Sequence, residues 1–427
     1  MLEPEIADAV ATGAEPLTVA ERAIDDLLDA VCIAAPYQLP ALLDRYAEAA
    51  GIGSAALYLV DLQHTVLVPY DGAAAAPEEV LSVDGTLAGR AYQLVEVLPQ
   101  PSADGGLRIW LPLLDGSERI GVLCVTLADP DAWTEAQDVL RARLRRLAAL
   151  AAELVVTKTL YGDTLVGLRR RREMSLPAEI QWSLLPPLTF ACDVVTVAAA
   201  LEPAYEVAGD TVDYAVNRGH AHVGIFDGMG HGLQSAQLAS LAVAAYRRAR
   251  RAGATLVEIA QEVDGALLAA FDGEAFSTAV LAELDTDTGR LQWVDAGHPE
   301  PLLLRNGRLV KTLAVDPSPP LGLSGALDRA GSPAAFAVGV EQLEPGDRVL
   351  LYTDGVTEAR SPDGEFFGVE RLADLVTRNL SGGLPTPETL RRVARSLLEH
   401  QQGRLNDDAT LLLLEWRSGN EGTLQIS

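Results

Sequence analysis

His220–Ala239 reads HAHVGIFDGMGHGLQSAQLA. Its first seven residues alternate around an apolar run, as a buried strand does, and an Asp-Gly pair then breaks the run. From Gln234 to Ala252 the apolar positions recur at helical spacing. The unit is therefore strand, acidic turn, helix, with Asp227 at the strand's end. A side chain there stands on a rigid frame beside a loop, where sites are commonly built.

Working outward, the same grammar recurs. Strands are expected at Val194–Ala200, Thr211–Val216, Ser277–Leu284, Leu291–Ala296, Pro301–Arg305, Arg348–Tyr352 and Ala409–Trp416, and helices at Leu256–Ala270, Val369–Asn379 and Pro387–Gln401. The pattern predicts α+β, with helices on largely antiparallel sheets. Three more acidic turns flank these strands: VAGDTVDY with Asp210 and Asp213, YTDGVTEA with Asp354 and Glu358, and NDDAT with Asp407 and Asp408. Asp-Gly is a common turn pair, so each alone is weak. Carboxylates with few nearby Lys or Arg suit hard divalent cations, and glycine beside aspartate lets a carbonyl approach an ion.

The chain has 427 residues, 48% hydrophobic and 22% charged, which predicts two or three globular domains. A formal net charge of −27 disfavours nucleic acid and anionic lipid as partners. Three scattered cysteines suggest neither a disulfide framework nor a zinc site. No leader or membrane-length apolar run is read, so the expected location is the cytoplasm, with no membrane partner. No Gly-x-Ser-x-Gly elbow, Walker loop or His-Glu-x-x-His helix supports other hydrolytic chemistries.

Before the acidic half, Ala20–Ala50 predicts two helices, broken at Pro36 and Pro40. Strands follow at Ser54–Val60 and Thr65–Pro69, a connection at Leu81–Arg90, and a hairpin of Leu107–Leu113 with Arg119–Leu127. A closing helix starts at Trp133. This order resembles a GAF sensory domain over residues 19–155, which implies an unidentified small-molecule or protein signal. Apolar positions from Leu140 to Leu168 then recur at three and four, a coiled-coil-like seam interrupted at Lys158. The seam predicts a helical linker over 140–188 and a homodimer, the alternative being a helix packed on its own domain. Residues 1–18 are expected to be a flexible lead-in and 418–427 a tail.

Residues 189–417, with the segment IQWSLLPP (Ile180–Pro187) before them, resemble the PPM-type protein phosphatases of the SpoIIE-like bacterial branch. AGD, FDGMGHGLQSA, VDAGHPEPLLL, LEPGDRVLLYTDGVTEA and NDDATLLLLE follow in that branch's order. The resemblance implies an antiparallel β-sandwich flanked by helices and two divalent cations, Mn²⁺ or Mg²⁺. Asp227 would bridge the ions and the Gly228 carbonyl would reach the second. Asp354 and Asp407 would hold the first, and Asp210 the second, directly or through water. Asp213 and Asp408 would orient ligands from behind. The implied activity is hydrolysis of phosphoserine or phosphothreonine on a signalling protein, an anti-sigma factor antagonist. The alternatives are an inactive phosphatase-like binding protein and a phosphatase of small molecules. Ala208 departs from the usual glycine, and Met229 stands where some relatives carry histidine. His231 and His298 are read as structural.

Overall fold

The computed structural model describes residues 18–71, 80–102, 105–135, 137–207, 209–324, 336–403, 405 and 407–417. The lead-in, the tail and Ala208 thus lie outside the described residues, apart from Thr18. Thr18 caps the first helix, α1 (Val19–Ile33), in a reciprocal capping box with Glu21.

The N-terminal domain is one antiparallel sheet between helices. Strands β1 (Gly53–Val60), β2 (Val66–Tyr70), β3 (Leu81–Ser82), β4 (Leu98–Pro101), β5 (Leu107–Asp115) and β6 (Glu118–Leu127) lie in the order β3-β2-β1-β6-β5-β4. Helices α1, α2 (Leu39–Ala49) and α5 (Gln137–Thr159) cover one face, with the short α4 (Ala132–Glu135) leading into α5. The other face carries α3 (Leu87–Leu94), in the stretch expected to be a plain connection. Thr86 caps α3, and Gly89 is required there because a Cβ would lie 2.0 Å from the Val83 carbonyl oxygen.

The long linker helix does not form as expected. α5 ends at Thr159, and α6 (Thr164–Arg169) starts only after a break that contains Gly162. Seam residues Leu144, Leu147, Ala151 and Leu154 are buried in the domain's own core, with Leu165 of α6. Much of the apolar stripe is used within the chain, because burial against the sheet satisfies the same periodicity. A separate helix, α7 (Leu176–Leu184), follows, capped by Ser175.

From Thr189 the chain builds a β-sandwich. One sheet runs β15-β12-β11-β10-β9, from β9 (Asp210–Asn217), β10 (His220–Gly228), β11 (Ser277–Asp285), β12 (Arg290–Ala296) and β15 (Gly339–Gln342). The other runs β14-β13-β16-β17-β8-β7, from β7 (Thr189–Cys192), β8 (Val195–Glu202), β13 (Leu302–Arg305), β14 (Arg308–Thr312), β16 (Arg348–Tyr352) and β17 (Ala409–Trp416). Every pairing is antiparallel. Alternate residues such as Val197, Val212, Ile225, Val280 and Leu412 fill the space between the sheets. Truncating one of them to alanine would cost about 2–5 kcal/mol for a leucine or isoleucine.

Helices α8 (Leu233–Arg251) and α9 (Leu256–Phe271) cover the outer face of the first sheet. The short α10 (Asp354–Thr357), α11 (Val369–Ser381) and α12 (Thr386–His400) cover the second. The strand and helix positions expected in this half therefore stand. The edge strands β7, β14 and β15 were not expected; β14 is exposed along its length and lacks an alternating pattern.

Candidate metal centre

The acidic turns lie at one end of the sandwich. β9 and β10 are antiparallel neighbours in a register that sets Asp210 opposite Asp227. β16 and β17 are neighbours in the other sheet, and Asp354 follows β16 while Asp407 and Asp408 precede β17. Four chain segments thus deliver carboxylates to the same end.

Two glycines allow this closeness. A Cβ on Gly209 would come within 2.5 Å of the Gly228 carbonyl oxygen, and one on Gly355 within 1.9 Å of the Asp408 carbonyl oxygen. The Gly228 amide donates to Gly209 O at 3.1 Å, which ties the Asp210 turn to the Asp227 turn. Asp408 does the same from the other sheet: its Oδ2 accepts from the Gly209 amide at 2.8 Å and the Asp210 amide at 3.4 Å.

Asp210 is 1% exposed and its Oδ2 accepts a hydrogen bond from Thr353 Oγ1 at 2.7 Å. Thr353 Oγ1 in turn accepts from the Thr410 amide at 2.9 Å, so one hydroxyl joins the two sheets behind the carboxylate. Sequence reading missed Thr353 and Thr410. Their signal was a polar residue at the inner end of an apolar strand, LLYT in one case and ATLLLL in the other.

The carboxylates feel one another. Burial raises Asp210 well above the usual carboxylate range, and Asp227 and Asp408 push it further. Asp227 is pushed up to about 7 by burial, then by Asp354, Asp407 and Asp408. Asp354 is also raised, by burial, Asp407 and Glu358. No arginine or lysine figures among these causes. Such an uncompensated concentration of carboxylate fits a divalent cation as its natural counter-charge. The donor set is all oxygen, as magnesium and manganese prefer. Among the described residues, however, no three His, Cys, Asp or Glu side chains already stand as a coordination shell. Asp407 is exposed, with its Oδ1 taken by the Asp408 amide at 2.9 Å.

Asp213 does not belong to this group. It lies three residues from Asp210 on a strand, hence on the opposite face. There it is buried between Arg247 of α8, at 2.7 Å, and Arg250, at 2.9 Å, and it anchors that helix. His298 is buried against Thr278 Oγ1 at 2.7 Å, and burial lowers its pKa to about 3. It is a structural, neutral histidine. His231 is exposed in the loop between β10 and α8, beside the exposed Met229.

Residues 217–417 match the family model of Stage II sporulation protein E (SpoIIE). Over that stretch the chain is similar to a SpoIIE-type PPM phosphatase domain. Protein IcfG of Synechocystis sp. is 32% identical over 142 residues, 33% of this chain and 21% of IcfG. Phosphoserine phosphatase RsbP of Bacillus subtilis is 32% identical over 197 residues, 45% of this chain and 46% of RsbP. The chain therefore spans less than half the length of these two relatives. The crystal structure of the RsbU and RsbW domains of Rv1364c from Mycobacterium tuberculosis is 28% identical, covers 53% of this chain and 63% of that one, and has a TM-score of 0.45. None of the helices among the described residues is long and apolar enough to cross a membrane.

Proposed function

We propose that the chain is a metal-dependent protein phosphatase acting on phosphoserine or phosphothreonine, with Asp210, Asp227, Asp354 and Asp407 and the Gly228 carbonyl as the cation ligands. The observation that carries this reading is the convergence of mutually repelling carboxylates at one end of the sandwich, with no basic side chain among the described residues figuring in their shifts. A pair of divalent cations there supplies Lewis acidity and a more acidic attacking water. The protein's own residues do the positioning. Thr353 fixes the rotamer of Asp210, and Asp408 holds the turn that carries it. Ser277 Oγ donates to the Asp227 carbonyl oxygen at 3.0 Å and braces the turn at the end of β10. Without cations a phosphate dianion would meet only negative charge, so hydrolysis is expected to be wholly cation-dependent.

The substrate we infer is a phosphorylated signalling protein, an anti-sigma factor antagonist; phosphoserine as the group removed accords with RsbP being named a phosphoserine phosphatase. The N-terminal domain, read as GAF-like over 19–155, is the proposed sensor. α7 is its route to the site: Trp182 Nε1 donates to Ala204 O at 2.7 Å, just ahead of the Gly209–Asp210 turn, and Leu184 O accepts from Arg247 of α8 at 2.6 Å.

The exposure of Asp407, whose Oδ1 accepts from the Asp408 amide, leaves one rival, an inactive binding protein of the same fold. Hydrolysis of an aryl phosphate with Mn²⁺, set beside Asp227→Asn and Asp354→Asn, separates the two. Rates for wild type no higher than for these variants would sink the enzyme reading. Comparing a phosphoserine protein with free phosphometabolites then tests the substrate class.

A further inference from the structure

At the acidic end of the first sheet, the inner face carries a neutral polar residue beside the carboxylates. Thr278 of β11 stands opposite Asp227 of β10, and both share the parity of the core residues Ile225 and Val280. Directly opposed residues on antiparallel strands hold their Cβ atoms about 5 Å apart, so the Thr278 hydroxyl shares the space beside the Asp227 carboxylate. Thr278 is partly exposed.

A hydroxyl beside a carboxylate can turn its hydrogen toward it. Here a histidine competes for that hydrogen. The loop after β12 brings His298 to Thr278, with Nδ1 2.7 Å from Oγ1. The His298 amide donates to Asp295 Oδ1 at 2.8 Å and holds the loop in place. The ring is 6% exposed, and burial lowers its pKa to about 3, so at neutral pH it carries a single proton.

Which nitrogen holds that proton sets the direction of the Thr278 hydroxyl. The Tyr352 carbonyl is the backbone group that favours a proton on the ring, and a carbonyl only accepts. Nδ1 is engaged with Thr278, which leaves the buried Nε2 for that carbonyl, short of full hydrogen-bond geometry. The proton therefore belongs on Nε2. Nδ1 is then an acceptor, Thr278 donates to it, and the hydroxyl offers only lone pairs toward Asp227. Two acceptors thus flank one space, and a water that donates both its hydrogens satisfies both.

We propose that Thr278 is a further catalytic residue whose hydroxyl accepts one O–H of the attacking water beside Asp227, and that His298 is the positioning residue that holds the hydroxyl in this sense. The proposal rests on the phosphatase reading. An accepted O–H restricts the water's rotation, and a misplaced reacting atom can cost about a hundredfold in rate.

The test joins kinetics to two readouts that need no turnover. In the metal-free full chain, heteronuclear NMR of the histidine rings should place the His298 proton on Nε2. Calorimetry should find the Mn²⁺ affinity of Thr278→Val equal to that of wild type. With an aryl phosphate, Thr278→Val is expected to lower kcat about thirtyfold at unchanged KM, and Thr278→Ser to return to within about threefold of wild type. His298→Leu should fall as Thr278→Val does, whereas His298→Asn, whose amide oxygen can replace Nδ1, should keep most of the rate. A proton on Nδ1, a raised KM with kcat held, no rescue by serine, or a lowered Mn²⁺ affinity in Thr278→Val, which would make Thr278 a cation ligand, would each overturn the proposal. Hydrolysis by wild type that Thr278→Val matches overturns this proposal alone, while no hydrolysis by wild type overturns the phosphatase reading beneath it. Should Thr278→Val fail to fold, Thr278→Ala carries the kinetic comparison.

Discussion

Replacing Glu388 by glutamine is expected to loosen the junction between the two domains. This carboxylate is fully buried and receives Arg119 at 3.2 Å, Arg391 at 2.8 and 2.9 Å, and Arg392 at 2.9 Å. Burial alone would raise its pKa, but the Arg391 hydrogen bonds and the charges of Arg119 and Arg391 outweigh it and bring the value from 4.5 down to about 2. A depression of that size corresponds to about 3 kcal/mol of stability. Because the folded value lies below the unfolded one, that stability is complete above about pH 5 and is lost as pH falls toward 2. The difference between wild type and Glu388→Gln in urea unfolding should therefore be about 3 kcal/mol at pH 7 and roughly 1.5 kcal/mol at pH 3. Arg119→Met combined with Glu388→Gln should cost less than the sum of the two changes, since each strands the other's charge. If Glu388→Gln unfolds within 1 kcal/mol of wild type at both pH values, the ionic cluster does not hold the domains and the reasoning fails.

Metal titration gives a second expectation: Mn²⁺ at a hundredfold excess over its dissociation constant should stabilise wild type by about 2.7 kcal/mol, and calorimetry should show the gain lost in Asp227→Asn. In metal-free protein the same variant should be more stable than wild type at pH 8. The folded pKa of Asp227, about 7 against 3.8, means that stability is lost as pH rises through that window; the gain should be on the order of 1–2 kcal/mol after allowing for partial exposure. Equal melting temperatures at pH 8 would refute it. Thr353→Val should cost about 1–3 kcal/mol and lower aryl phosphate turnover, with Thr353→Ser restoring both, because the hydroxyl bridges Asp210 and the Thr410 amide. Gly355→Ala should be worse than most surface changes, by about 1–3 kcal/mol or more, since its methyl would meet the Asp408 carbonyl oxygen at 1.9 Å. A melting curve that matches wild type would refute the crowding argument.

What the sequence made legible, and what it hid, follows from the range of each signal. Asp227 could be placed because strand, turn and helix are all contained in twenty residues. Its partner Asp210 is seventeen residues away, and only the β9–β10 register sets the two opposite each other. Asp213 was misplaced by proximity. The two-residue period of a strand already puts it on the other face from Asp210, and the arginines that claim it, Arg247 and Arg250, fall one helical turn apart on α8. The stripe from Leu140 to Leu168 shows the converse limit. A period of three and four fixes which face is buried but not what buries it, and here the chain's own sheet does so. Arg119 and Glu388 are 269 residues apart and neither lies in a motif. Their pairing is a property of docked domains, and the sequence around either residue carries no local trace of it. The acidic centre was readable because its chemistry demands a residue type at each turn. The domain junction was not, because Arg119, Glu388 and Arg391 are ordinary side chains whose ion pairs close only when two folded surfaces meet.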